Sequence, residues 1–568
     1  MYNKAKLAIA GWVLIVLGGS LAHLIQTTGG IDIEDVRFEY ESGRHLSALL
    51  YRPANATPAS PAPGILAVHG YINSRETQSG FAIEFARRGY VVLAIDQTGH
   101  GFSEGPAFGA GFGGPAGLRY LRGLPFVDTS QIGLEGHSMG GWTSLAAAAD
   151  QPDGYRSLAL VGSSTGPGFV PVGTPEFPRN LGVIFSRYDE FAPLMWGVAD
   201  AADVGQSEKL RAVFGTEAPV VPEQLYGSIE QGTARWLTIP DTTHPGDHLS
   251  GEAIGDTVDW MAMTLSGGTQ LDSADQIWHW KEFGTLIALI GGMLVLLGSC
   301  KLILGMPAFQ RLAGVPPAAL PGGWWSSAAL AAAIPALTYY PLTGLGALFT
   351  ANALFPQGVT NQILIWALGN GLIVLGADAF VRRKARVEQA RFASAALEPS
   401  ANWPRAASVA VLSTLCLYLA VVLSDVLFKT DLRFWVVALK PMAAHHFPVF
   451  LAYVLPFTAY FHVSQRIWLR GLAPTGSALG QYVSTVVASI GGLFVLVAGC
   501  YFYLFASGHL PPVDPLFTIV AIQFLPVLSL TAIVSVFAWR RTGRAETGAI
   551  ICGLLVSWYV VAGQATHL

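Results

Sequence analysis

The sequence has little charge for its length. Only 12% of its 568 residues are charged and 52% are hydrophobic, whereas a soluble domain carries about 25% charged residues. The formal net charge is −4, and no extended basic stretch occurs, so the composition argues against nucleic-acid binding. Long apolar runs fill most of the chain outside residues 30–282. This pattern excludes a soluble enzyme and a disordered chain.

Cysteine is scarce, and the common cofactor motifs are missing. The four cysteines all lie in apolar segments, and residues 29–280 contain none. That distribution excludes a disulfide framework and a cysteine metal cluster, and it leaves the redox compartment open. No G-x-x-x-x-G-K-[ST] motif is present, which argues against ATP-driven transport. We therefore predict neither a metal nor a cofactor.

The apolar runs divide the chain into three parts. Residues 1–28 contain the apolar run Leu7–Ile25 behind two lysines, which predicts a transmembrane anchor, with a signal peptide as the alternative. Residues 29–280 alternate strand-like and helix-like stretches, which indicates an α/β domain with a mostly parallel sheet flanked by helices. Residues 281–568 predict an all-α membrane domain of about eight transmembrane helices. The predicted spans there are 283–304, 325–350, 361–380, 406–428, 441–461, 480–506, 515–538 and 547–565.

Basic residues are distributed unevenly between the loops. With a cytoplasmic N-terminus, fifteen lysines and arginines fall on the cytoplasmic side, and four fall on the opposite side outside the α/β domain. Cytoplasmic loops carry such an excess. We therefore predict a multi-pass protein of the cell membrane, in contact with the lipid bilayer. Its residues 29–280 would lie on the non-cytoplasmic (periplasmic or extracellular) face, and the oligomeric state stays open.

Several ionisable residues stand near the predicted outer ends of the spans. They include Asp425, Lys440, His445 and His446. A charge at the bilayer centre is costly and marks a functional site, but near the interface long side chains reach water cheaply. We expect these residues to be solvated and the membrane half to act as an anchor.

One pentapeptide carries a candidate nucleophile. Gly136-His137-Ser138-Met139-Gly140 follows an apolar strand-like run and precedes an alanine-rich helix-like stretch. A serine nucleophile on a strained strand-to-helix turn needs flanking glycines, because no side chain fits there. The motif therefore predicts that Ser138 is a catalytic nucleophile.

The candidate acid and base follow Ser138 in the chain. Asp189 comes after the strand-like Leu181–Ser186, and His244 comes directly after the last strand-like run. His244 would take the serine proton, and Asp189 would orient its imidazole. Glu190 is the alternative acid and His248 the alternative base.

Backbone amides would stabilise the oxyanion that forms during acyl transfer. The residue after the nucleophile, Met139, supplies one donor. The second is expected from the loop after the first central strand, where His69-Gly70-Tyr71 stands, so we predict the Tyr71 N–H. We interpret His69 as structural rather than catalytic.

Three segments together resemble one superfamily. They are His69-Gly70-Tyr71, Asp96–Ser103 and Gly136–Gly141, and they resemble the α/β-hydrolases, nearest to monoacylglycerol-lipase-like esterases and serine aminopeptidase-like hydrolases. The resemblance covers roughly residues 33–265 and implies an α/β-hydrolase fold with a serine hydrolase activity. Where many lipases insert a helical lid, the connection from Ser164 to Leu181 is short. An insertion around residues 205–233 is expected to shape the acyl pocket instead.

These features predict a serine hydrolase of carboxylesterase or lipase type. It would cleave an ester of a small-molecule or lipid-like acyl substrate through an acyl-enzyme, with a thioester or an amide left open. An acyltransferase or a serine peptidase would use the same triad. A transporter or sensor whose α/β domain only binds ligand is the third alternative. We identify no family for the membrane half.

Overall fold

A computed structural model describes residues 2–166, 169–314, 324–388, 402–472 and 477–568. Arg391, one of the fifteen basic residues that we expect on the cytoplasmic side, lies outside the described residues. Within them, the chain forms an α/β domain that packs against a bundle of long helices.

The α/β domain is built on an eight-stranded sheet with the order β1-β2-β4-β3-β5-β6-β7-β8. The strands β1 and β2 form an antiparallel hairpin at one edge, β2 pairs antiparallel to β4, and the remaining strands are parallel. Every residue of β3, β4, β6 and β7 is buried, which explains why these strands are continuous apolar runs. The strands are β1 Asp32–Glu41, β2 Arg44–Arg52, β3 Ala62–Val68, β4 Val91–Ile95, β5 Val127–His137, β6 Ser157–Val161, β7 Leu181–Ile184 and β8 Arg235–Thr238.

Helices cover both faces of this sheet. Helices α2 and α7 pack on one face, while α3, α4 and α6 pack on the other. The helices of the domain are α2 Ser79–Arg87, α3 Gly114–Arg122, α4 Met139–Asp150, α5 Ala192–Met195, α6 Glu208–Phe214 and α7 Gly251–Thr264. The sheet thus has two apolar cores, one on each side, as a mostly parallel sheet requires.

Nine of the described helices are long and apolar enough to cross a membrane. They are α1 Tyr2–Gln26, α8 Trp278–Leu304, α9 Trp324–Gly346, α10 Gly358–Glu388, α11 Trp403–Phe428, α12 His446–Leu472, α13 Ala478–Ser507, α14 Pro515–Thr542 and α15 Glu546–Gly563. Helix α1 packs against α8 through glycines. A Cβ on Gly11 would lie 2.6 Å from the carbonyl oxygen of Gly291, and one on Gly284 would lie 2.7 Å from that of Gly18. Small residues at such contacts let two helix backbones approach closely.

A short hairpin joins the helical bundle to the α/β domain. Its strands are β9 Leu432–Phe434 and β10 Val437–Leu439, between α11 and α12. The guanidinium of Arg433 bonds the carboxylate of Asp431 at 2.6 Å and the hydroxyl of Thr77 in the α/β domain at 2.9 Å. It also lies 3.7 Å from the carboxylate of Glu76. The two halves are therefore held together by buried charges.

Two of the four ionisable residues that we expected to be solvated are not, whereas Asp425 and His445 are only partly buried. Lys440 and His446 are buried, and Arg433 on the hairpin is buried as well. The reason is that the α/β domain covers the end of the bundle, so these side chains face protein rather than water.

Candidate active site

Ser138 occupies a sharp turn between β5 and α4. Its backbone has φ 55° and ψ −123°, a combination that L-residues rarely adopt. A Cβ on Gly136 would lie 2.2 Å from backbone atoms of Gly140, and one on Gly140 would lie 2.1 Å from the carbonyl oxygen of Val68. No side chain fits at either position, so both glycines are required by the geometry of the turn.

The strand order and this strained turn together decide the fold. Residues 32–264, here called the hydrolase domain, have the α/β-hydrolase fold. The hydrolase domain carries the predicted acid and base on the loops after β7 and β8, at the same end of the sheet as Ser138. Loops at the carboxyl ends of parallel strands meet there, which is where such folds place their sites.

The structure brings Asp189 and His244 together. The Nδ1 of His244 lies 2.8 Å from the Oδ2 of Asp189, and both residues are buried. Burial lowers the pKa of His244 to about 4, although the nearby carboxylate of Asp247 acts in the opposite direction. The imidazole is therefore neutral at pH 7, the state in which it can accept a proton from a serine. The ring nitrogens of His248 have no hydrogen-bond partner among the described residues.

Glu190, the alternative acid, has a different position. Its Oε2 accepts a hydrogen bond from the backbone N–H of His244 at 2.8 Å, and its Oε1 accepts one from the hydroxyl of Tyr501 at 2.5 Å. Burial and the negative charge of Asp189 raise the pKa of Glu190 to about 8. Glu190 thus supports the backbone of the His244 loop and links it to the helix α13, while Asp189 contacts the imidazole.

The two predicted oxyanion donors lie beside the nucleophile. Met139 is the first residue of α4, and both it and Tyr71 line the same cavity as Ser138. The loop that carries Tyr71 approaches closely, since a Cβ on Gly70 would lie 3.1 Å from the Cβ of Ser138. The ring of His69 contacts two nearby backbones: its Nε2 accepts a hydrogen bond from the N–H of Gln97 at 3.1 Å, and its Nδ1 lies 2.7 Å from the carbonyl oxygen of Gly70. The triad and the oxyanion hole remain predictions that this arrangement accommodates.

Ser138 and His244 line one cavity of about 830 Å³. Its lining comes from both halves of the protein, and most of the side chains are apolar. The hydrolase domain contributes Phe112, Trp142 and Phe191 among others, and the helical bundle contributes residues 514–516, 519 and 523 together with Val436.

The insertion at residues 205–233 does not shape this cavity, contrary to the expectation from the sequence. None of its residues lines the cavity. Leu210, Val213 and Phe214 of this insertion are buried in the apolar core on one face of the sheet. The segment therefore packs against the domain rather than over the nucleophile, and Phe169 from the short connection after Ser164 lines the cavity instead.

Three further contacts at the site had no clear signal in the sequence. The carboxylate of Asp247 is buried 3.3 Å from the Nε2 of His137. Tyr501 reaches Glu190 from α13. The hydroxyl of Tyr71 lies 3.1 Å from the Nε2 of His567. The last two partners are hundreds of residues apart in the chain, so no local pattern could pair them.

Known proteins are similar to the hydrolase domain over part of its length. Residues 59–190 match the family model described as serine aminopeptidase, S33. Dipeptidyl peptidase 8 of Mus musculus and of Homo sapiens is each 31% identical over 143 residues, which is 22% of this chain and 16% of each relative. This chain thus spans about a sixth of the length of those relatives.

Among solved structures, an esterase from Pyrococcus furiosus is 17% identical with a TM-score of 0.30, covering 41% of this chain and 90% of the esterase. A CIB-like hydrolase from Thermoplasma acidophilum is 14% identical with a TM-score of 0.30, covering 41% of this chain and 99% of that protein. The chain thus joins a domain with the α/β-hydrolase fold, in which residues 59–190 are similar to serine aminopeptidases, to a bundle of long helices.

Proposed function

We propose that the protein is a membrane-integrated serine hydrolase that cleaves an ester through an acyl-enzyme on Ser138. The observation that carries the proposal is the buried contact between Asp189 and His244, because this histidine lines one cavity with a serine on a strained turn. A serine hydroxyl becomes a useful nucleophile only beside such a base. The largely apolar cavity lining supports an acyl substrate.

The chemistry follows from these positions. The Nε2 of His244 takes the proton of Ser138 while the serine Oγ bonds to the ester carbonyl carbon, and the backbone N–H groups of Tyr71 and Met139 stabilise the resulting oxyanion. The imidazolium then returns the proton to the leaving alcohol as the ester C–O bond breaks. Water then gives a proton to the same imidazole and attacks the acyl carbon, and the bond from that carbon to the serine Oγ breaks as the imidazolium returns the proton to Ser138, which releases the acid. Asp189 stabilises the imidazolium in both halves of the reaction.

The same triad would serve acyl transfer or peptide cleavage. The three reactions differ only in the leaving group and in the nucleophile that resolves the acyl-enzyme. We favour hydrolysis of an ester because the cavity is apolar and reaches helices of membrane-spanning length. Analysis of the products, with and without a candidate acyl acceptor, separates these reactions.

We also propose that the nine long helices cross the cell membrane and that the hydrolase domain lies on the non-cytoplasmic face. The excess of basic residues in alternate loops supports this orientation. The chain after α15 contacts the hydrolase domain, where Thr566 accepts a hydrogen bond from the N–H of Ala107 at 2.7 Å and donates one to the carbonyl of Gly99 at 2.8 Å. If α1 and the eight later helices each cross the membrane once, the residues after α15 lie on the same side of the membrane as the hydrolase domain.

Labelling with a fluorophosphonate tests the nucleophile. Membranes that contain the wild type, Ser138→Ala or Ser130→Ala are treated with the probe and compared at equal protein levels. Ser130 is an exposed serine on β5 and serves as the matched control. We expect the wild type and Ser130→Ala to label equally and Ser138→Ala not to label. Labelling that survives in Ser138→Ala, or a folded wild type that does not label, would contradict the proposed mechanism.

A further inference from the structure

One wall of the catalytic cavity is a helix of membrane-spanning length. The lining includes Leu516, Ile519 and Gln523 of α14, together with Asp514 and Pro515 at its start. The spacing of three and four residues places the three side chains on one face of the helix. From Leu516 to Gln523 that face covers eight residues, which is about 12 Å of helix.

The cavity runs farther along α14 than an ordinary surface cleft would. The 28 residues of α14 are apolar enough to span a bilayer, and Gln523 is more than two turns beyond the helix start, about 12 Å along the axis. Ile519 and Gln523 are buried within the protein, yet both line the cavity. The cavity therefore extends from Ser138 alongside the portion of α14 that begins the span.

The part of the cavity lining that faces outward is also apolar. Phe108, Phe169 and Leu194 line the cavity, and their exposed fractions are 49%, 62% and 58%. Exposed large apolar side chains in a cluster mark a site for a lipid or another apolar partner. An amphipathic substrate would contact these residues on its way to the serine.

We propose that α14 is the acyl-chain wall of the active site, and that the substrate is a long-chain acyl ester whose chain lies along the Leu516–Gln523 face with its carbonyl at Ser138. This inference rests on the proposed function of Ser138 as nucleophile. The helical bundle is then part of the enzyme rather than an anchor, and the substrate comes from the leaflet on the side of the hydrolase domain. Because burial of one methylene is worth about a fourfold change in an equilibrium or rate ratio, chain length should control kcat/KM strongly.

The test measures chain-length selectivity with the full-length protein in detergent. The probes are the p-nitrophenyl esters of acetic, octanoic and palmitic acid, and the readout is the ratio of kcat/KM for the long ester to that for the acetate. Ile519→Trp enlarges the wall residue at the middle of the proposed chain path. Val495→Trp is the matched control, because Val495 lies on α13, is 70% exposed and does not line the cavity.

We expect the wild type and Val495→Trp to prefer the longer esters. In Ile519→Trp the ratio should fall about fifteenfold if the indole displaces two methylenes. Ile519→Phe is a smaller enlargement that should give an intermediate ratio, and it replaces Ile519→Trp if that variant fails to fold. Fluorophosphonate labelling of each variant reports whether Ser138 is still in a folded site.

The possible failures are distinguishable. A wild type that labels but prefers acetate would overturn the inference, as would unchanged ratios in both Ile519 variants with labelling retained. An equal loss of selectivity in Val495→Trp would also overturn it, because the effect would then come from the bilayer-facing surface in general. A folded wild type that does not label would instead overturn the proposed function.

Discussion

The contact between Asp189 and His244 gives the sharpest prediction about the chemistry. The Oδ2 of Asp189 accepts a hydrogen bond from the Nδ1–H of His244 at 2.8 Å. In Asp189→Asn the amide NH₂, which is a donor, can take the place of this acceptor. The ring proton then moves to Nε2, so the nitrogen that should accept the proton of Ser138 carries one already. Because both groups are buried, water cannot readily restore the lost acceptor.

The expected loss is large and falls on kcat. The corresponding change in a Ser-His-Asp protease lowers kcat by about 10⁴, which is about 5.5 kcal/mol of transition-state stabilisation. We expect a loss of the same order here and little change in KM, because Asp189 is not among the residues that line the cavity. The assay is steady-state hydrolysis of p-nitrophenyl octanoate by the purified full-length protein.

Glu190→Gln is the control for this prediction. The amide oxygen of glutamine can still accept the hydrogen bond from the backbone N–H of His244, and its NH₂ can donate to the hydroxyl of Tyr501. We therefore expect less than about a tenfold loss, since the neutral side chain keeps one acceptor and gains a donor. If Glu190→Gln lost as much activity as Asp189→Asn, or if Asp189→Asn stayed active, the assignment of Asp189 as the acid would be wrong.

The other predictions concern pH, orientation and stability. Because burial lowers the pKa of His244 to about 4, kcat/KM on a neutral ester should be level from pH 5 to 8 and fall only as the base is protonated near pH 4; an inflection near 6.5 would contradict this. A reporter fused after Leu568 should read non-cytoplasmic, and a cytoplasmic signal would refute the nine-span arrangement. Arg433→Leu leaves the buried carboxylate of Glu76 without one of its cations, so the free energy of unfolding should fall by about 3–5 kcal/mol, measured as a fall in Tm. Arg187→Leu, the control, removes an exposed ion pair and should lower the free energy of unfolding by under about 1 kcal/mol.

The nucleophile turn could be predicted from sequence because its cause is local. The clash that a Cβ would make at Gly136 or Gly140 involves atoms within the turn or on the adjacent strand β3. A pentapeptide therefore carries enough information. The fold class is confirmed for the same reason, since alternating strands and helices fix a mostly parallel sheet. The order of Ser138, Asp189 and His244 along the chain then follows from the order of the strands.

The shape of the cavity could not be predicted from the sequence. The expectation for residues 205–233 was wrong because an insertion near the acid can pack either over the site or against the sheet. The apolar side chains of Leu210 and Val213 suit both outcomes equally well. Likewise, the sequence of a long apolar helix such as α14 looks the same whether its face contacts lipid, another helix or a substrate cavity. Which of these contacts the α14 face makes is decided only when the helical bundle docks against the hydrolase domain.

Buried charges help to fix that docking, together with the hydrogen bonds between the two halves. Arg433 is paired within its own hairpin to Asp431, at 2.6 Å, and across the interface to Thr77 and Glu76. Apolar surfaces alone would let the hydrolase domain slide on the end of the bundle, because such contacts have little directionality. A buried ion pair is costly unless its geometry is kept, so a slide or a rotation that separated Arg433 from Glu76 would be strongly unfavourable. These pairs thus favour one register of the bundle, including α14, against Ser138, and the position of Arg433 in the sequence does not reveal this role.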